Sequence, residues 1–262
     1  MEELPAQESS KADGKIITSS VDAELPRVLN SYVTVLRERK EGEKQIALLM
    51  DQRSVSPQRV ICLLDCVAQL NTPLVRLCLS KNPLGPEGAR LLGSALVTNN
   101  TLQFLELDAC DLVGSAYRPQ HDGILALSKG IQSVRSRLHY VNVASNALQP
   151  EGCRILLGAM SFHKTLTALD ISDNMLSLFN EKQGFLALSY LLQYSKQLCW
   201  LNIADNPLTG AATSALITSL ASNHSLTSLN ASHCGISKAQ WLSCQSGRGN
   251  SRPEKLLHKL KC

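Results

Sequence analysis

One pattern, L-x-x-L-x-L-x-x-N/C-x-L with other apolar residues at a few leucine positions, occurs six times along this chain of 262 residues. The copies begin at Leu74, Leu102, Leu138, Leu166, Leu198 and Leu226. Successive copies start 28, 36, 28, 32 and 28 residues apart, so the unit is 28 residues with two insertions. A fixed period of this length is typical of a repeat architecture, in which no unit can bury its apolar face alone. The units must therefore stack side by side.

Each copy is followed by a segment with helical periodicity. In residues 86–96, small and apolar residues recur at i, i+3, i+4 and i+7 from Gly88, which predicts an amphipathic helix. Parallel strands stack about 4.8 Å apart, whereas packed helices need about 8–10 Å between their axes. We therefore expect an α/β solenoid shaped like a horseshoe. Its parallel β-strands lie on the concave face and its α-helices on the convex face.

The six copies resemble the leucine-rich repeat family, and a 28-residue unit with a full helix is similar to the ribonuclease-inhibitor-like class of that family. The resemblance extends over residues 46–244. It implies the same solenoid fold. The departures are Val141, Val143 and Ala231 at leucine positions, and a degenerate unit that begins at Ile46.

The repeat register predicts four parts of the chain. Ile46 lies one unit before Leu74 and begins the degenerate repeat, in which Asp51 stands at an apolar position and Ser54 replaces Asn. Residues 22–40 have the periodicity of a helix, which could cover the open end of the stack. We expect a disordered N-terminus at 1–20, an N-terminal capping helix at 21–45, six to seven leucine-rich repeats at 46–244, and a basic C-terminal tail at 245–262.

Charge and composition exclude several classes of protein. The net charge is +4, and the 245–262 tail accounts for it, so the neutral body does not indicate a nucleic-acid partner. Apolar runs are shorter than the roughly 18 residues of a membrane span, and the first ten residues do not resemble a secretory signal. The nine cysteines are an odd number and indicate reduced thiols. These features predict a monomeric cytoplasmic protein, with association to cytoskeleton or cilium as an alternative.

Motifs of enzyme chemistry do not appear in the sequence. It contains no GxGxxG, Walker, HExxH or GxSxG segment, and its six histidines fall at unrelated repeat positions. His233 near Asp205 is the one combination that resembles an acid/base pair. We therefore expect a non-enzymatic scaffold or adaptor without catalytic residues, cofactor or metal.

A partner-binding surface follows from the strand pleat, because residues that alternate with the buried leucines face the concave side. Three of the chain's scarce aromatic residues share the third position of the pattern, and carboxylates outnumber cations around them. These features predict a protein partner with apolar and basic anchor residues. The alternative is that Phe104 and Tyr140 only pack on each other. The predicted binding residues are Arg76, Phe104, Glu106, Asp108, Tyr140, Asn142, Asp170, Asp173, Trp200, Asn202 and Asp205.

The two insertions lie at the same place in the unit. Residues 113–122 and 177–182 both connect a strand to a helix, on one edge of the solenoid, where longer loops often carry contacts. Tyr117, Arg118 and Phe179 would be their anchor residues. The alternative is that both loops are insertions that the surface tolerates.

Two other functions remain open. Tropomodulin-like actin-capping domains and axonemal scaffolds resemble this chain in using few such repeats. Ran GTPase-activating proteins are similar at the repeat level, but their C-terminal tail is acidic and the tail of this chain is basic. Arg76 would be the only candidate for a catalytic arginine.

Overall fold

The computed structural model describes residues 33–38, 44–53, 55–59, 73–178, 181–237 and 239–240. Its strands are β1 (Val33–Glu38), β2 (Lys44–Leu49), β3 (Leu74–Cys78), β4 (Phe104–Glu106), β5 (Tyr140–Asn142), β6 (Ala168–Asp170), β7 (Trp200–Asn202) and β8 (Ser228–Asn230). Its helices are α1 (Gly85–Leu96), α2 (Asp122–Ile131), α3 (Gln149–Met160), α4 (Gln183–Tyr194) and α5 (Gly210–Ser222). The described strands form one sheet in the order β1 to β8, antiparallel between β1 and β2 and parallel from β2 onward.

Strand pleating and helix periodicity place the apolar residues in one continuous core. The central residues of the parallel strands pair in register and are almost completely buried: Leu77, Leu105, Val141, Leu169, Leu201 and Leu229. Helix residues such as Leu127, Leu156 and Leu188 pack against this core from the other side. Strands thus alternate with helices as the sequence predicts, and the prediction of an α/β leucine-rich repeat solenoid is confirmed.

A column of asparagines ties each unit to the preceding one. The Oδ1 atom of buried Asn146 accepts hydrogen bonds from the backbone N–H groups of Cys110 and Leu112, at 2.9 and 3.2 Å. Its Nδ2 atom donates to the carbonyl oxygens of Leu107, Val143 and Ala144. These bonds satisfy backbone groups that a buried turn would otherwise leave unpaired. The same column contains Asn82, Asn174 and Asn206.

Cysteine occupies the same column twice. The Cys110 thiol donates to the carbonyl oxygen of Leu79, and the Cys234 thiol to that of Ile203, each at 3.1 Å. Burial raises the pKa of Cys110 to about 12, so the thiol keeps the proton that it donates. A thiol offers one weak donor where Asn offers a carbonyl and an amine. The cysteine positions therefore bind the neighbouring unit less extensively.

The backbone turns off each strand through a left-handed residue just before this column. The positive φ angles lie between 51° and 59° at Gln52, Lys81, Ala109, Ser145, Asp173, Asp205 and His233. Non-glycine residues adopt this region at a cost, which the repeated turn offsets with its hydrogen bonds. The repetition shows that every described unit leaves the sheet by the same turn.

Glycines allow neighbouring helices to approach closely. A Cβ atom on Gly93 of α1 would lie 2.3 Å from the backbone of Ala126 in α2. A Cβ on Gly123 would lie 2.2 Å from the carbonyl oxygen of Pro86. Any side chain at either position would force α1 and α2 apart.

The first repeat begins at Ile46 as predicted, but its later residues are displaced by one. Ile46 pairs with Leu74, and an irregularity then pairs Leu48, rather than Leu49, with Leu77. Because side chains alternate along a strand, this shift buries Leu48 and Met50 and exposes Asp51. Asp51 therefore does not occupy an apolar position.

The asparagine position of this repeat shifts in the same way. The backbone N–H groups of Arg53 and Val55 both donate to Asn82 Oδ1, as those of Cys110 and Leu112 donate to Asn146. Arg53, rather than Ser54, thus stands where the later units have Asn or Cys.

The predicted capping helix at 21–45 is wrong for the residues that the structure describes. Residues 33–38 form β1, which pairs antiparallel with β2, and β2 itself begins at Lys44. The outer edge of β2 has backbone N–H and C=O groups that need partners. The strand β1 pairs with them, whereas the backbone of a helix could not. The predictions for residues 1–20, for Asp22–Asn30 and for the 245–262 tail lie outside the described residues.

A histidine caps the loop between α3 and β6. His163 Nδ1 accepts hydrogen bonds from the backbone N–H groups of Thr165 and Leu166, at 3.3 and 3.1 Å. Nε2 therefore carries the proton, and it lies 3.1 Å from the carbonyl oxygen of Ile131 and 3.0 Å from Ser136 Oγ. Burial lowers the pKa of His163. At the same repeat position in other units, the Oδ1 atoms of Asn99 and Asn223 accept hydrogen bonds from backbone N–H groups in the same way.

We expect the free energy of unfolding to fall as the pH drops below about 6.5, the usual pKa of histidine. The unfolded chain binds the proton at that pH, whereas the folded chain resists it, because a protonated Nδ1 cannot accept from Thr165 and Leu166. Urea unfolding between pH 5 and 8 measures this effect. His163→Asn is the matched control, since Asn99 accepts the equivalent bonds, and its stability should vary less with pH. An equal pH dependence in both proteins would contradict the assignment.

Candidate functional site

The structure brings the predicted concave-face residues together in straight rows across the sheet. In the row of third positions, Arg76, Phe104, Tyr140, Ala168, Trp200 and Ser228 pair with one another in sequence order. In the row of fifth positions, Cys78, Glu106, Asn142, Asp170, Asn202 and Asn230 do the same. The side chains of both rows point away from the helices because the residues between them are buried.

The aromatic pair on this face is Tyr140 with Trp200. Their ring centroids are 6.3 Å apart and the planes are tilted by 59°. The residue between them in the row is Ala168, whose small side chain leaves the space in which the rings meet. Both aromatic residues are partly exposed, and Phe104 is 36% exposed. Among the described residues, the rings that contact each other on this face are thus Tyr140 and Trp200, rather than Phe104 and Tyr140.

A depression of about 540 Å³ lies beside this pair. It is lined by two aromatic residues, one ion pair, and residues at or just before the start of β4, β5 and β6: Arg76, Gln103, Phe104, Glu106, His139, Tyr140, Thr167 and Ala168. The Nδ1 atom of His139 is buried and has no hydrogen-bond partner among the residues that the structure describes. The depression is large enough to accept an apolar side chain of a partner.

One carboxylate on the face is neutralised and two are not. Arg76 donates to Glu106 through both Nε and Nη2, each at 2.7 Å. Among the described residues, Asp108 accepts from two neutral donors, Ser80 Oγ and Asn142 Nδ2. These uncharged donors hold Asp108 in place and leave its negative charge available.

Asp170 is held in the same way. Its Oδ1 accepts from the backbone N–H and the hydroxyl of Ser172, at 3.0 and 2.6 Å, and its Oδ2 accepts from Asn202 Nδ2 at 2.8 Å. Burial raises the pKa of Tyr140 to about 12, and the negative charge of Asp170 adds to this shift. Burial is the larger cause of this pKa shift, and the carboxylates of Asp170, Glu106 and Asp108 add to it from around the aromatic pair.

Three of the predicted binding residues, Asn142, Asp170 and Asn202, also have a structural role that was not predicted from the sequence. Asn142 Oδ1 accepts from the backbone N–H of Ala144, and Asn202 Oδ1 from that of Ala204. Asp170 and Asn230 form the same turn with the residue two positions later. Asn and Asp favour this local turn. Their recurrence at the fifth position was the signal available in the sequence.

Asp173 and Asp205 lie at the rim, in the left-handed turns that follow the strands, and both are exposed. Asp205 Oδ1 is 2.7 Å from His233 Nδ1, so the predicted neighbours do meet. Their side chains are 54% and 78% exposed. An ion pair this open to water contributes little to stability. Among the described residues, none shields the two side chains from water.

The insertion loops extend from the same edge. Tyr117 is 96% exposed and Arg118 is exposed beside it. Gln149 Nε2 donates to the carbonyl oxygen of Ala116 at 2.5 Å and ties this loop to α3. Phe179 lies outside the described residues.

Among the described residues, no three His, Cys, Asp or Glu side chains converge as metal ligands would. The described cysteines are free thiols. None of the described helices combines the length and the apolarity needed to cross a bilayer.

Comparison with known proteins agrees with the repeat register. The family model described as Leucine Rich repeat matches residues 70–93, which contain β3 and the start of α1. This chain is a leucine-rich repeat protein. The leucine-rich repeat chain is also similar to a solved structure, the leucine-rich repeat-containing protein LegL7 from Legionella pneumophila, with a TM-score of 0.49 and 20% identity. That likeness covers 75% of this chain and 59% of LegL7.

Curated relatives of the leucine-rich repeat chain are much longer proteins. NACHT, LRR and PYD domains-containing protein 14 of Mus musculus is 29% identical over 173 residues, which is 58% of this chain and 16% of the relative. NACHT, LRR and PYD domains-containing protein 13 of Homo sapiens is 28% identical over 179 residues, which is 60% of this chain and 17% of the relative. The chain thus spans less than a fifth of the length of these two proteins.

Proposed function

We propose that this protein is a non-enzymatic interaction module whose concave face binds an extended protein segment. The segment carries an apolar side chain next to Lys or Arg. The observation that carries this proposal is the Tyr140–Trp200 pair above Ala168, flanked by two carboxylates with neutral donors. We further propose that residues 46–244 form the module and that it acts as a cytoplasmic monomer.

The aromatic pair and its depression supply the apolar contact. Partly exposed Tyr and Trp rings in a shallow site are the usual anchors of protein interfaces, because they lose much hydrated area at little entropic cost. The depression of about 540 Å³ beside Tyr140 has room for one large side chain. An apolar residue of the partner would fill it and cover Phe104.

The carboxylates supply the choice of charge. Asp108 and Asp170 lie on β4–β6 and the turns that follow, close to the anchor site, and Asp173 and Asp205 extend the negative charge along the rim. Complementary charge steers a basic segment to the face and rejects an acidic one. Since Arg76 already pairs with Glu106, the attraction comes from the remaining acids.

The test is quantitative affinity purification with Asp108→Asn/Asp170→Asn. Asn keeps one acceptor oxygen, as Asn142 shows at the fifth position, so each substitution removes a negative charge, and Asp170→Asn also removes the hydrogen bond from Asn202 Nδ2. We expect recovery of partners to fall about tenfold, the effect of a close interfacial charge pair. Asp111→Asn/Asp122→Asn removes the same charge outside the face and should leave recovery unchanged. Equal recovery by both double variants, with unaltered thermal melting, would refute the proposal.

The two other predicted functions would be detected by different experiments. A tropomodulin-like role requires co-sedimentation with actin filaments or microtubules, and a GTPase-activating role requires faster GTP hydrolysis by small GTPases. Arg76, the candidate arginine, is held by Glu106 with two donors at 2.7 Å. We therefore favour the binding module.

A further inference from the structure

A second exposed apolar surface lies away from the concave face, where the helices end and the next strands begin. We name it the helix-end edge, formed by residues 97–102, 131–138, 160–166, 190–198 and 221–226. Three of its apolar residues occupy the same repeat position, four residues before the first leucine of the pattern: Val134, Phe162 and Tyr194. They are 100%, 62% and 46% exposed.

The centre of this edge is a cluster of three aromatic rings. Tyr190 and Tyr194 stand one turn apart at the end of α4, with ring centroids 4.3 Å apart. Phe162, from the loop after α3, packs against both, at 5.9 Å from Tyr190 and 5.6 Å from Tyr194. Each of the three residues is more than 40% exposed. The cluster is therefore a preformed apolar site on the surface.

Hydrogen bonds join the loops of the edge into one surface. His163, beside Phe162, contacts the carbonyl oxygen of Ile131 and the hydroxyl of Ser136 in the preceding loop. Ser133 in that loop donates to the carbonyl oxygen of Val97 at 2.7 Å. The apolar residues thus lie on neighbouring loops that are fixed to each other.

The charge of the edge is uniformly positive. Its exposed cations are Arg135, Arg137, Lys164 and Lys196, and its five segments contain no Asp or Glu. Within the described residues, none of these four cations forms an ion pair. The opposite edge, where strands lead into helices, carries both signs, with the acids Asp108, Asp111, Asp173, Glu181 and Asp205 beside the cations Lys81, Arg118 and Lys182.

Helix dipoles explain only part of this arrangement. Cations are favoured near the C-terminal ends of helices, so the dipoles account for the positive charge. They do not account for three clustered aromatic rings exposed to water, since a dipole does not favour apolar groups. Exposed apolar patches of this kind usually mark a binding surface. Lys164 follows Phe162 by two residues and Lys196 follows Tyr194 by two, so cations and rings alternate along the edge.

We propose that the helix-end edge is a second protein-binding surface, specific for an acidic segment with an apolar anchor. The anchor packs on Phe162, Tyr190 and Tyr194, and its neighbouring carboxylates pair with Lys164 and Lys196. The two surfaces of the chain then select partners of opposite charge. A protein segment fits better than a nucleic acid or an anionic membrane, since the rings pack on each other and do not stand free to stack on bases, and the acidic concave face of the same chain would be repelled by a polyanion.

The test begins with a phage-displayed library of random 12-residue peptides, selected on the whole chain. We expect enrichment of sequences that combine Asp or Glu with an aromatic or aliphatic residue. Fluorescence anisotropy of the best peptide should show affinity about tenfold lower for Tyr190→Ser and for Lys196→Glu, as loss of a central anchor or a charge pair predicts. Lys182→Glu, at the other end of α4, is the charge-matched control and should bind like the wild type.

Other outcomes would overturn this second surface. Enrichment of basic peptides, or peptide binding that Tyr190→Ser leaves unchanged, would contradict the proposal. So would dimers in sedimentation velocity that Lys196→Glu abolishes, or binding to phosphatidylserine vesicles that is stronger than binding to the peptide. Thermal melting confirms that each variant is folded. Asp108→Asn/Asp170→Asn should leave peptide binding unchanged, so failure of the concave-face proposal and failure of this one are distinguishable.

Discussion

Replacing Leu201 by Asp is expected to abolish cooperative folding of the repeat stack. Leu201 is the central residue of β7, is completely buried, and pairs with Leu169 and Leu229 on the adjacent strands. An isolated carboxylate there would lack any charged or polar partner, and the cost of burying it exceeds the roughly 5–15 kcal/mol that stabilise a typical domain. Because each unit buries the face of its neighbour, the loss would spread to both sides. Far-UV circular dichroism with thermal melting measures the result.

Two controls separate charge burial from other causes. Leu201→Ala should keep a cooperative transition and lose about 2–5 kcal/mol, the cost of a cavity in a packed core. Ser228→Asp introduces the same charge on the neighbouring strand, but on the partly exposed concave face, and should melt within a few degrees of the wild type. A native melting curve for Leu201→Asp would show that the stack is not the folding unit that these contacts describe.

The strand rows could be predicted residue by residue because two periodicities act together. The alternation of side chains along a strand decides which leucines are buried, and the repeat length decides which residues become neighbours. Leu105, Val141 and Leu169 therefore pair as the sequence predicts. The third-position row follows from the same rule, and so does the position of Ala168 between Tyr140 and Trp200.

The N-terminal end could not be predicted, because its structure depends on a neighbour. Residues 33–38 fit a helical pattern, but Val33, Thr34 and Val35 are β-branched and favour a strand once a sheet edge is available. The edge of β2 provides this partner. The shift that places Leu48 rather than Leu49 in the core is likewise a backbone irregularity with no signature in the repeat pattern.

Contacts between side chains on the candidate surfaces were the other feature beyond prediction. Phe104, Tyr140 and Trp200 share a row, but the sequence does not decide which rings touch. Sequence neighbours also do not indicate that Glu106 is neutralised while Asp170 is not. The aromatic cluster of the helix-end edge combines two helices' ends and became visible only when α3 and α4 were placed side by side.

Replacing Asn146 by Leu is expected to be nearly as damaging as placing a charge in the core. Leu has a similar size but no polar atom, so the N–H groups of Cys110 and Leu112 lose their acceptor. Three carbonyl oxygens lose a donor at the same time. Each buried group left unpaired costs about 1–3 kcal/mol, so the sum rivals the total stability of a domain. Urea unfolding of the variant and the wild type measures the difference.

Asn146→Cys is the matched control, because the chain itself uses cysteine at Cys110 and Cys234. A thiol at this position can donate to one carbonyl oxygen, as Cys110 does to Leu79 at 3.1 Å, although it replaces neither accepted bond fully. We expect the cysteine variant to fold and to lose measurably less stability than the leucine variant, since one of the five groups keeps a partner. If the urea midpoints of both variants equalled that of the wild type, the hydrogen bonds of the asparagine column would not contribute to stability, and the proposed link between units would be wrong.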